Sequence, residues 1–159
     1  MAEQDNLIRA KATYETLCQY LDGKNWNYEK KEEEYKIIFR TRGEDLTIPI
    51  TIKVFPERQV AMLISYLPFD IPEDKRVEAA VALCALNDRI VDGSFDFDIG
   101  DGSVCFRMTN SFAESDLSME VFNYLLFCSF ATIDEYNDKL LMLAKGTISL
   151  QQFIESLKS

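Results

Sequence analysis

Apolar residues recur along this chain with two different periods, and the switches between them mark out its elements. Between residues 3 and 22, Leu7, Ala10, Tyr14, Leu17 and Leu21 fall at three- and four-residue spacing. That spacing lines one face of an amphipathic helix, and Gly23 supplies its stop. A short candidate strand, Trp26-Asn27-Tyr28, leads into a charged run at residues 29–34, read as a solvated strand edge and turn because it is brief and lacks an apolar stripe. The period then drops to two. Residues 35–42 set Ile37 and Phe39 on one face against Lys36, Ile38, Arg40 and Arg42 on the other. After a turn at Gly43-Glu44-Asp45, residues 46–55 place Leu46, Ile48, Ile50, Ile52 and Val54 inward. Pro49 lacks an amide donor and predicts an edge or a bulge. Residues 60–67 are apolar on both faces, as in a strand covered on both sides.

The longer period returns after Pro72, which suits the first turn of a helix. Ala79, Leu83, Leu86 and Ile90 form one stripe of this helix, and Val77, Val81 and Cys84 form a second beside it. Two stripes require two covered faces, the sheet on one and a further surface on the other. Phe95, Phe97 and Ile99, then Val104, Phe106 and Met108, alternate with polar positions around Gly100-Asp101-Gly102, which predicts a hairpin. Ser118 is placed to cap a long helix reaching Lys145, whose middle is apolar nearly all round and is expected to be deeply buried. Ser149 is placed to cap a short last helix over residues 150–157. The expected fold class is α+β, an antiparallel sheet packed with helices in the order α-β-β-β(-β)-α-β-β-α(-α). With 159 residues and no repeat or linker, residues 1–159 read as a single domain.

Composition narrows the chemistry. There is no histidine, which removes the usual general base near neutral pH and the commonest metal ligand. Cys18, Cys84, Cys105 and Cys128 stand far apart, with no C-x-x-C pair for a zinc site. The N-terminal residues show no cationic region followed by an apolar one, so free thiols and a cytoplasmic location are expected. The net charge of −10 disfavours nucleic acid and anionic membrane as partners. The aspartates around the hairpin invite a calcium loop starting at Asp96, but the third ligand position is Gly100, the required glycine is Asp101, and position twelve is Arg107. Asp96 and Asp98 are also a candidate carboxylate pair, with nothing in the sequence to raise either pKa. Lys36, Arg40 and Arg42, with Ile38 among them, make a mixed patch able to hold an acidic peptide, or a merely solvated face.

Leu86-Asn87 near a helix end, then Gly93-Ser94-Phe95, the Asp101-Gly102 turn and Val104-Cys105-Phe106-Arg107 carry a resemblance. With the order of elements, they make the chain resemble the YbjN-like family of bacterial sensory transduction regulators and the fold of type III secretion chaperones. The resemblance implies a non-enzymatic, cytoplasmic, acidic and often dimeric domain with a regulatory or chaperone-like role. It implies a polypeptide partner, no cofactor and no catalytic or metal-binding residue. The candidate partner-binding residues are Ile38, Arg40, Ala61 and Leu63, taken as outward strand positions. The candidate dimer interface is Val77, Val81 and Cys84. The alternative is a small carboxylate-dependent enzyme or small-ligand-binding domain.

Overall fold

The alternating segments pair into one antiparallel sheet. The computed structural model describes residues 2–44 and 46–158, so Asp45 of the expected turn lies outside the described residues. Among the described residues the sheet has six strands: β1 (Glu29–Lys31), β2 (Lys36–Arg42), β3 (Thr47–Phe55), β4 (Val60–Tyr66), β5 (Ser94–Phe97) and β6 (Val104–Ser111). Their order is β1-β2-β3-β4-β6-β5. The helices are α1 (Ala2–Gly23), α2 (Arg76–Asn87), α3 (Met119–Ala144) and α4 (Leu150–Ser156). Helices α1 and α3 touch the middle of the sheet through β3, β4 and β6, and α2 touches β5. None of the described helices is long and apolar enough to cross a membrane.

Local chemistry accounts for the boundaries. The Ser118 hydroxyl accepts from the Val121 amide to start α3, and Ser149 forms a reciprocal cap with Gln152 to start α4. The charged run divides into β1 and a single tight turn at Glu32–Glu34, closed by Tyr35 in the left-handed region at φ 48°. The first strand therefore begins at Glu29 and not at Trp26, whose ring instead stacks on Phe130 and meets Phe39 edge-on. Pro49 lies in an internal strand. The β3–β4 register begins at Ile50↔Ser65, so Pro49 pairs only with Arg40 on β2 and no ladder bond to β4 is missed.

One face of the sheet is the core. Ile37, Ile50, Ile52, Val54, Phe106 and Phe95 are all buried on it, beneath Leu17 and Leu21 of α1 and Phe122 and Ile133 of α3. The register corrects the sequence on β4. Leu63 stands opposite Ile52 and Met108, and Ala61 opposite Val54, so both belong to the helix-covered face, where each is 1% exposed. Neither is available to a partner. The outward residues of β4 are Val60, Met62, Ile64 and Tyr66, of which Met62 and Ile64 are half-buried and Tyr66 is exposed. The expectation for α3 is also corrected in part. Phe122, Leu125, Leu126 and Ser129 are buried, but Phe127 is 70% exposed and Tyr124 also faces out.

Candidate partner-binding surfaces

The link between α2 and the β5–β6 hairpin is fixed at both ends. At the start of α2 the Arg76 guanidinium donates to four backbone carbonyls, those of Ile71 (3.3 Å), Ile99 (3.2 Å), Gly100 (2.6 Å) and Asp101 (3.0 Å). At its end the Asn87 side chain donates to the Phe95 carbonyl at 2.9 Å and accepts from the Phe95 amide at 2.8 Å. Gly102 reinforces the first of these, with the Ile71 amide donating to its carbonyl at 2.8 Å and its φ at +88°. These contacts set the angle at which α2 leaves the sheet and thus which of its faces stays open.

The hairpin aspartates serve this architecture. Asp96 lies on the outward sheet face and takes Arg107 in a two-pronged ion pair, with contacts of 2.5 and 3.2 Å. The Asp98 carboxylate accepts from the Gly100 amide at 2.8 Å, and that of Asp101 from the Ser103 amide at 2.8 Å. The bond to Ser103 holds the Asp101 carboxyl below its usual range. Asp92 accepts from the Tyr124 hydroxyl and ties the loop before β5 to α3. The aspartates are thus dispersed over a strand, a turn and a loop. The two thiols whose acidity shifts move toward the neutral form. Burial raises Cys18, and burial with the nearby Asp96 pushes Cys105 up to about 11. Neither is an activated nucleophile.

Two uncovered surfaces stand out among the described residues. The first is the sheet face opposite the helices, where cross-strand register makes continuous rows. Ile38, Thr51, Ile64 and Arg107 lie side by side across β2, β3, β4 and β6. Ile38 and Arg40, expected at the sequence level to point outward, do so: Ile38 is half-buried and Arg40 exposed. The second is the outer stripe of α2. Ala79, Ala82, Leu83 and Leu86 are buried against the fold, whereas Val77 is 72% exposed, Val81 47% exposed, and Cys84 exposed. The second stripe is real and is uncovered in a single chain.

Two grooves flank α1. One, of about 800 Å³, runs between the start of α1 and the β3–β4 turn and is lined by Leu7, Tyr35, Phe55, Glu33 and Glu57. The other, of about 570 Å³, lies between α1 and β1 and is lined by Tyr14, Cys18 and Lys30. Burial beside Cys18 pushes the Tyr14 hydroxyl up to about 12. Sequence periodicity gives no sign of either groove, since both arise where elements meet.

A family model described as "YbjN: Putative bacterial sensory transduction regulator" matches residues 13–142. A comparison with curated proteins gives no match. Among solved structures, a chain of the ExsC–ExsE complex is similar at 16% identity and a TM-score of 0.58, covering 80% of this chain and 92% of that one. YbjN from E. coli, described as "a putative transcription regulator", is similar at 14% identity and a TM-score of 0.57, covering 79% and 92%. The HopA1–SchA chaperone–effector complex is similar at 15% identity, 86% and 93% coverage, and a TM-score of 0.49. At these identities the first two structures show a shared fold and nothing more.

Proposed function

Because the chain belongs to the YbjN family, we propose that it is a non-enzymatic, cytoplasmic interaction domain with a regulatory or chaperone-like role. It works as a homodimer through α2 and holds a polypeptide partner on the open face of its sheet. The observation that carries this reading is the pairing of two uncovered surfaces on one small domain, one apolar and one mixed. The α2 stripe of Val77, Val81 and Cys84 is narrow and helical, which suits self-complementary packing about a two-fold axis. The row through Ile38 and Ile64, edged by Arg40, is broad and mixed, which suits an extended or helical segment of another chain. A non-enzymatic role is supported by the use of Asp96 in an ion pair and of Asp98 in a turn. A cytoplasmic location agrees with four free cysteines. A chain of the ExsC–ExsE complex shares this fold, which supports the holding of a polypeptide here.

The test is direct. The purified chain is incubated with an array of short synthetic peptides of varied charge and hydropathy, and its mass is measured by sedimentation. A subset of peptides should bind, and the mass should be twice that of the chain. If no peptide binds, the polypeptide-holding reading falls; a monomer mass at micromolar concentration removes the dimer.

A further inference from the structure

The open sheet face is cationic on a strongly acidic protein. Lys31, Lys36, Arg40, Arg42, Lys53 and Arg107 occupy outward positions on β1, β2, β3 and β6, against Glu29 and Asp96. The chain as a whole carries −10. The register sets Lys31 opposite Lys36, and Lys36 opposite Lys53, so three ammonium groups stand in one row across three adjacent strands. Like charges directly opposite each other destabilise a sheet. The fold offsets them only at the margins of the face, where Arg107 has Asp96 and Lys31 has Glu29. Among the described residues no carboxylate lies within ion-pair distance of Lys36, Arg40, Arg42 or Lys53. Lys53 rests over the Phe55 ring at 5.2 Å.

Resting on the polypeptide-holding reading, we infer that the occupant of this face is an acidic segment of a partner protein, with carboxylates spaced by apolar side chains. The unpaired cations of β2 and β3 take the carboxylates. The aliphatic ground between them, Ile38, Met62 and Ile64, takes the apolar residues. The row from β1 to β3 spans only about 10 Å at normal strand spacing, and the acidic turn Glu32–Glu34 follows β1 directly. A nucleic acid needs a longer continuous cationic track and gains little from aliphatic side chains. A second copy packed face to face would set lysine against lysine, so the face does not pair with itself.

The experiment uses the same peptide array, with single-stranded RNA as a competing polyanion. The variant is the double substitution Lys36→Gln, Lys53→Gln. Removing two facing charges should leave the thermal midpoint unchanged or raised, which separates loss of binding from loss of fold. Acidic, apolar-spaced peptides should be enriched among the binders. They should weaken by about tenfold or more in the variant, and also between about 0.1 M and about 1 M salt, where screening shortens from about 10 Å to about 3 Å. If peptides bind but the bound set is neutral or basic, or the variant binds the acidic set equally well, this inference falls and the broader reading stands. If no peptide binds, both fall. If RNA outcompetes the peptides, the occupant is a nucleic acid. If the variant instead loses the dimer mass, the occupant is a second copy; either result overturns the assignment.

Discussion

The side-chain amide of Asn87 holds both backbone groups of Phe95, donating to its carbonyl at 2.9 Å and accepting from its amide at 2.8 Å. Phe95 sits in β5, an outer strand of the sheet, paired on its other side with Phe106 of β6. Asn87 thus stands where the next strand would, and closes the β5 edge at that position. Asn87→Ala should cost about 1–3 kcal/mol, since two partly buried hydrogen bonds go at once. Asn87→Asp should not rescue it, because a carboxylate accepts from the amide but repels the carbonyl. Urea unfolding of the three proteins measures the difference.

The place of Asn87 in the chain was legible, but not its role. Period-two alternation correctly orders the faces of β2 and β3, and capping chemistry correctly starts α3 and α4. It fails on β4 for a definite reason. When both faces are apolar, alternation cannot say which is covered, and Ser65, the one polar residue on the inner phase, points the wrong way. Ser65 is 0% exposed, and its hydroxyl meets that of Ser129 of α3 at 2.6 Å. Ala61 and Leu63 follow it inward. The exposed Phe127 is the converse case, an apolar run on α3 longer than the core it faces. The Arg76 contacts depend on where the β5–β6 turn docks against α2, and the lysine row on the β1–β2 and β2–β3 registers, neither of which local pattern encodes.

The Ser65–Ser129 contact predicts a non-additive pair. Ser65→Ala or Ser129→Ala alone leaves a buried hydroxyl unpaired and should cost about 1–2 kcal/mol. The double substitution should cost clearly less than the two together. A double-mutant cycle from urea unfolding reads the coupling; additivity would mean that the hydroxyls do not bond to each other.

Gly43 and Gly102 predict unequal damage. A Cβ on Gly102 would meet the Ile71 carbonyl oxygen at 2.2 Å, on a backbone at φ +88°. Backbone cannot yield as a side-chain tip can, so Gly102→Ala should cost about 2–4 kcal/mol and loosen the hairpin from α2. A Cβ on Gly43 would meet the Asp134 Oδ1 at 2.3 Å. That carboxylate accepts from the Glu44 amide at 3.3 Å but can rotate away, so Gly43→Ala should cost about 1 kcal/mol or less. Thermal unfolding ranks the two.

The α2 stripe predicts a charge-sensitive assembly. Val81→Asp should convert the proposed dimer to a monomer in sedimentation while leaving the circular dichroism of the folded chain intact, because Val81 is 47% exposed in the single chain. A carboxylate there meets water in a monomer and an apolar stripe in a dimer. A variant that remains dimeric would move the interface away from α2.

Tyr14 predicts an alkaline limit. Its hydroxyl is buried beside Cys18, and its folded pKa is raised from 10.0 to about 12. The unfolded chain releases this proton first. The contribution is therefore fully present below pH 10 and is lost as pH rises from 10 to about 12. Tyr14→Phe should flatten that part of the stability profile, as read by urea midpoints across the alkaline range. An unchanged slope would assign the loss to the other buried tyrosines.

The pairing of β4 with β6 has a consequence for the order of folding. Strands β1 to β4 join by short turns, as do β5 and β6, so each group closes locally. The seam between them joins Tyr66 to Cys105 and Val60 to Ser111, with all of α2 intervening, and so carries a larger loop-closure entropy. Until it closes, β4 presents an unpaired edge on a strand that is apolar on both sides. The same residues that form the middle of the finished sheet are, in a half-folded chain, its most aggregation-prone margin.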